Sequence, residues 1–166
     1  LVVRTLSGDE FPAEIINTDS TADLAVVRIP EPIEAPPFKL STERVRVGEP
    51  VIAVGHPSMI GNWVGMAGIV SAVDEYLRGA EQTPYVEVLT SLPISRGASG
   101  SAITRPDGAV VGIISHGSYE EIADAPLAPN VTVHTFLPRR DNSGGAGSEV
   151  ILDFAERSGV PIEIAK

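Results

Sequence analysis

The chain has 166 residues and no cysteine, and 22 Asp and Glu against 12 Lys and Arg leave it a formal net charge of −10. This excludes thiolate catalysis and cysteine-based metal sites, and it argues against nucleic acid or an anionic membrane as the main partner. No apolar run approaches the ~20 residues of a membrane span, so membrane insertion is not expected. The opening "LVVRTLSGDE" lacks the basic region, apolar stretch and cleavage site of a signal peptide. The sequence therefore predicts an intracellular protein or one whose N-terminus has been removed.

In chain order, "LVVRTL" reads as a short strand, and "SGDE" after it as a tight turn into a second strand, "FPAEIIN". "DLAVVRI", residues 23–29, has the apolar, β-branched content of a buried strand. Residues 30–37, "PEPIEAPP", hold four prolines in eight residues, and proline has no N–H to place in a ladder, so this stretch is a linker. Strands follow at "RVGEPVIAVGHP", "GMAGIVSAVDEY" and "PYVEVLTSL". "SAITRPDGAVVGIIS" is a hairpin about Pro106–Asp107–Gly108, and "NVTVHTFLP" another strand. "DNSGGAGS" reads as flexible, leading to a helix N-cap at Ser148, and "EVILDFAERSG" puts Val150, Ile151, Phe154 and Ala155 on one face, with Gly159 as the stop. There is no internal repeat. The pattern predicts an all-β chain of sandwich or barrel type with a C-terminal helix.

The stretch "SRGASGSAI", residues 95–103, raises the question of a nucleophile. Acyl transfer by serine needs an exposed hydroxyl, backbone N–H groups facing the developing oxyanion, and a base. Gly97 and Gly100 around Ser99 permit the unusual dihedrals that turn successive N–H groups into an anion-binding nest. Alone, such a turn is equally a plain connection between strands. "VIAVGHPSMIG" superficially suggests the nucleophile elbow of α/β-hydrolases, but that turn needs serine two residues after its first glycine. Ser58 stands three after Gly55, with Pro57 between. His56, His116 and His134 share no metal-binding spacing, so no metal and no cofactor are expected.

The order of blocks "TLSGDEFPAEIINTDSTADLAVVRI", "VGEPVIAVGHPSMIG", "GIVSA" and "RGASGSAITRPDGAVVGIIS" resembles the trypsin/chymotrypsin-like serine peptidases, most of all their bacterial HtrA-like branch. The likeness covers roughly residues 5–117. It implies a trypsin-like double β-barrel whose first barrel is incomplete in this chain. The implied parts are the remainder of that barrel (1–36), a linker (37–44), the second barrel (45–138), and a flexible loop with a C-terminal helix (139–166). By the resemblance Ser99 is the nucleophile, the N–H groups of Gly97 and Ser99 form the oxyanion hole, and Asp23 orients the catalytic histidine. Taken by itself, Asp23 is equally a turn or cap residue. Ser115, His116 and Gly117 match the segment that pairs with substrate backbone. Pro93, Ile94 and Ser95, with strand 131–136 opposite, would wall the specificity pocket; no acidic residue lines it, so a small aliphatic residue at the cleavage site fits better than Lys or Arg. The family has Asn where Ala98 stands and Gly where Ser101 stands. Alanine at 98 cannot make the ion pair by which trypsin zymogens activate.

The resemblance places the catalytic histidine upstream of Leu1. His56 reads as a loop residue, His116 as part of the substrate segment and His134 as a strand residue. The implied function is a serine endopeptidase acting on polypeptides through Ser99, Asp23 and that upstream histidine. The alternative is a catalytically inactive relative kept as a peptide-binding module. The sequence leaves oligomeric state open, and the likeness leans toward an exported or envelope-associated location.

Overall fold

The computed structural model describes every residue except 31, 34, 58–62, 129–130 and 166, with side chains described outside 118–142. Two short hairpins come first. β1 (Val2–Arg4) pairs with β2 (Glu10–Pro12) across a turn in which Gly8 takes φ +95° and donates to the Thr5 carbonyl at 3.0 Å. β3 (Glu14–Asp19) pairs with β4 (Leu24–Arg28). The expected single strand "FPAEIIN" is thus two strands split at Ala13, each paired with a different neighbour. β4 is also less buried than its composition predicts. Leu24 is buried, but Val27 is 42% exposed and Ile15 on β3 is 60% exposed, because a two-stranded sheet leaves one face uncovered.

Six strands then close on themselves: β5 (Pro50–Gly55), β6 (Val64–Arg78), β7 (Thr83–Thr90), β8 (Ala102–Thr104), β9 (Val110–Ala128) and β10 (Val131–Gly147). The order is β10-β7-β6-β5-β8-β9, with β10 pairing both β7 and β9 and so completing the ring. The alternation is regular in β5, where Val51 and Ala53 point inward and Ile52 and Val54 outward. Val51, Val70, Val88, Ile103 and Ile114 are each at most 1% exposed and form the interior with Met66 and Leu92. Each such aliphatic side chain contributes about 1.5–3 kcal/mol by leaving water.

β9 and β10 depart from expectation. The sequence ends β9 near Ser115, yet the strand continues to Ala128 against β10. Residues 139–147, expected as a flexible loop, are the second half of β10. The glycines there serve close packing. A Cβ on Gly145 would overlap the Ile113 carbonyl, and one on Gly144 would lie 2.7 Å from Leu89 Cδ2. Ser143 anchors the same stretch, its hydroxyl lying 2.9 Å from the Thr90 carbonyl and 3.0 Å from the Leu92 carbonyl.

Helix α1 (Ser148–Arg157) begins one residue earlier than the predicted cap allows: Ser148 is helical, and Gly147 holds the cap position with no side-chain hydrogen bond. Val150, Ile151, Phe154 and Ala155 are buried as the periodicity predicts. The helix ends in a Schellman arrangement, Gly159 N–H to Glu156 and Val160 N–H to Ala155, both 3.0 Å, with Gly159 at φ +68°. Its apolar face joins Leu24, Leu40 and Tyr85 in a second core cluster, which fastens the β3–β4 hairpin to the ring. Burial pushes the Tyr85 phenol up to about 12. Among the described residues no helix is long and apolar enough to cross a membrane.

Candidate active site

Ser99 stands on the turn between β7 and β8, exposed to solvent. Gly97 takes φ +93° and Gly100 φ +85°, dihedrals that an L side chain rarely adopts. The turn's amides alternate. Ala98 N–H is engaged by the Ser95 carbonyl at 3.1 Å and Gly100 N–H by the Ile114 carbonyl at 2.8 Å. Those of Gly97 and Ser99 have no partner among the described residues. Ala98 itself is fully buried among apolar neighbours, which anchors the turn from beneath. The Ser101 side chain lies against Gly55, where a Cβ would overlap its Oγ.

Across from this turn runs the middle of β9. Its pairing with β8 reaches only to Ile113, and Ile114 closes that edge by donating to the Ser101 carbonyl at 2.9 Å. Beyond it, His116 and Gly117 stay paired with β10 on one side, with Ser115 bulging between the pairs, and among the described residues no strand lies on the other side. The Ser115 carbonyl lies on that uncovered side, 3.5 Å from Ser99 Oγ. An unpaired strand edge beside a hydroxyl can take up an extended peptide by strand addition.

His116 is half-exposed. Its Nδ1 lies 3.4 Å from both Ser115 Oγ and Glu87 Oε1, and Tyr76 donates to the other oxygen of Glu87 at 3.0 Å. Ile94 is 2% exposed within the first core cluster, and Ser95 is buried beside it. The register of β10 puts 131–138 opposite 119–128; Ser143 pairs with Thr90 and donates to the Leu92 carbonyl, and Gly144 pairs with Leu89. The side chains of 131–136, expected to wall the specificity pocket, lie outside the described residues. The side chain of His134 is outside the described residues.

Asp23 is exposed at the end of the β3–β4 turn, with φ +58°. Its carboxylate has no hydrogen-bond partner among the described residues, and no contact joins it to Ser99. The structure thus brings Ser99, Ser115 and His116 together and leaves Asp23 on the other hairpin. Among the described residues no group of three or more His, Cys, Asp or Glu could hold a metal.

The sequence profile of the trypsin-like peptidase domain matches residues 1–113. The chain belongs to the trypsin-like peptidases. Within that family it is 33% identical over 158 residues to the periplasmic pH-dependent serine endoprotease DegQ of Escherichia coli (strain K12), a match covering 93% of this chain and 32% of that one. It is 35% identical over 116 residues to a probable periplasmic serine endoprotease, DegP-like, of Pseudomonas fulva (strain 12-X), covering 69% and 23%. The chain thus spans at most about a third of the length of these relatives. Among solved structures, the HtrA-type protease AlgW with a tripeptide superposes with a TM-score of 0.70 at 22% identity, covering 93% of this chain and 46% of that one. The Rv3671c protease from M. tuberculosis, active form, also gives 0.70, at 15% identity, with 95% and 63% covered.

Two residues of this trypsin-like peptidase domain were not singled out from sequence. Asp19 accepts the Thr21 and Ala22 amides on Oδ1, both at 2.9 Å, and Arg157 on Oδ2 at 2.9 Å. The hydrogen bond from Ala22, aided by those from Arg157 and Thr21, outweighs burial and holds the Asp19 carboxyl below its ordinary range. An Asp two and three residues before small residues is a local Asx-turn signal. Its pairing with Arg157 is not local and leaves no trace in sequence.

Proposed function

We propose that this domain is the catalytic part of a serine endopeptidase, with Ser99 as nucleophile, the N–H groups of Gly97 and Ser99 as oxyanion hole, and Asp23 as the carboxylate that orients the base. The observation that supports this most is the alternation in the Ser99 turn. The two amides with no partner among the described residues are those the family uses on the oxyanion, while the two between and after them are fixed to the scaffold. One such donor is worth about 10²–10³ in rate.

The base is a histidine preceding Leu1. His56 stacks edge-on against Trp63, their ring centroids 4.3 Å apart, and His116 Nδ1 lies 3.4 Å from both Ser115 Oγ and Glu87 Oε1; among the described residues neither ring hydrogen-bonds the Ser99 hydroxyl, whose contact is the Ser115 carbonyl. Substrate is an extended polypeptide laid along Ser115–Gly117, with a small aliphatic residue at the scissile position, since Pro93, Ile94 and Ser95 carry no carboxylate to receive Lys or Arg. The relatives called periplasmic support an exported or envelope-associated location.

The test is Ser99→Ala in the full-length protein, assayed on an unfolded polypeptide. Turnover falls by about 10⁶, the order seen on loss of a serine nucleophile, while the melting temperature is unchanged because the hydroxyl is exposed. Undiminished cleavage overturns the assignment.

A further inference from the structure

We propose that Asp19 and Arg157 are positioning residues for Asp23: together they brace the β3–β4 turn against helix α1 and so fix where the orienting carboxylate stands. This rests on the peptidase reading above. Asp23 has no side-chain partner of its own among the described residues, so its place is set by its backbone alone. That backbone is in the left-handed region, φ +58°, which is unfavourable for a residue with a Cβ and persists where neighbours impose it.

The neighbours are specific. Asp19 Oδ1 takes the Thr21 and Ala22 amides, which closes the turn two residues before Asp23. Asp19 Oδ2 takes Arg157 Nη2 at 2.9 Å, and Arg157 Nε is held in turn by Asp153 Oδ2 at 2.8 Å. Flanking the turn, Asn17 Nδ2 donates to Ser158 Oγ at 3.0 Å, and a Cβ on Gly79 would crowd Thr21. A cleft of about 290 Å³ lies between turn, β7 and helix, bordered by Asp19, Ala22, Tyr85, Val150 and Arg157. The Asp19–Arg157 ion pair lines this cleft and adds a polar tie to the apolar packing of Ala22 and Leu24 against the helix. An isolated surface pair would contribute little. This one has a carboxylate only 16% exposed with both oxygens engaged, and it ties together segments 138 residues apart. A carboxylate that orients a catalytic imidazole must be held to a fraction of an ångström, and a displacement of about 1 Å can cost as much as 10²-fold in rate.

The experiment compares Arg157→Ala, Arg157→Lys and Asp19→Asn with wild type in the full-length protein. Arg157→Ala is expected to lower kcat by about ten- to a hundredfold, with KM unchanged. The acidic limb of kcat/KM moves to lower pH, because a displaced Asp23 stabilises the imidazolium less. Arg157→Lys restores most of the loss. A folded Arg157→Ala with wild-type kcat and pH profile, or a loss confined to KM, overturns the proposal. If Arg157→Ala does not fold, Asp19→Asn is read the same way. Amide hydrogen exchange supplies a readout independent of activity: Thr21, Ala22 and Asp23 exchange faster in Arg157→Ala than in wild type. Unchanged exchange there overturns the bracing role even if Ser99 proves unreactive, whereas failure of Ser99→Ala to abolish wild-type cleavage strikes only the peptidase reading.

Discussion

Gly108 and Gly145 show how differently one residue type can be required. Gly108 closes the β8–β9 hairpin at φ +90°, with open space where a Cβ would go. Gly145 faces the Ile113 carbonyl so closely that any side chain collides with backbone. Gly108→Ala is therefore expected to cost about 1–2 kcal/mol from the dihedral alone. Gly145→Ala costs at least about 1–3 kcal/mol, the range for overpacking a core, and it perturbs the β9–β10 pairing, whose register shifts between Gly144 and Gly145. Urea denaturation of the two variants separates these, and a Gly145→Ala no worse than Gly108→Ala contradicts the close-approach reading. Asp19 supplies a pH signature at the same scale. Its folded-state pKa lies below the unfolded value of about 3.9, so the folded state binds fewer protons, and its contribution is full above that value and is lost as pH falls through the depressed one. Thermal melts between neutral and strongly acid pH should show a steeper acid decline in wild type than in Asp19→Asn.

Helix α1 carries the clearest correspondence between pattern and structure, because every determinant of it is local. The 3.6-residue apolar spacing selects the buried face, and Gly159 ends it with the left-handed residue that a Schellman motif needs. Phe154→Ala should cost about 3–5 kcal/mol in an unfolding titration, since Phe154 is 3% exposed at the centre of the second cluster. Glu156→Ala, on the exposed face, should leave stability within about 0.5 kcal/mol. The same local reading misassigned the second half of β10. Glycine and serine in "DNSGGAG" look flexible in isolation, but what they permit is an approach to strands far away in sequence, which no window of ten residues records. The split of "FPAEIIN" was hidden for a related reason: Ala13 marks a change of partner, and partners are not written into propensity. At the candidate site the motif order was legible around Ser99 and Asp23, while the Asp19–Arg157 brace was not.

Helix α1 joins the closed six-stranded ring to the β3–β4 hairpin, and the segment after the prolines is held to the ring where Leu40 pairs with Val110. Arg105 contributes to that union by gathering Glu49, the Ser41 hydroxyl and the Glu43 carbonyl, thereby fixing the 41–43 segment against the ring. Burial pushes the Glu49 carboxyl up, but hydrogen bonds from Arg105 and the Arg46 amide outweigh it and leave it below its ordinary range. The arrangement matters functionally because the hydroxyl and the carboxylate of the proposed machinery sit on different parts of it, Ser99 on the ring and Asp23 on a hairpin. The proposed machinery turns on Ser99 being an activated nucleophile in the assembled protein. Fluorophosphonate labelling of the full-length protein, followed by peptide mapping, tests it most directly. A single adduct is expected on the peptide containing Ser99, formed at neutral pH and abolished by prior unfolding. An adduct on another serine with Ser99 unmodified, or no adduct under native conditions, would contradict it.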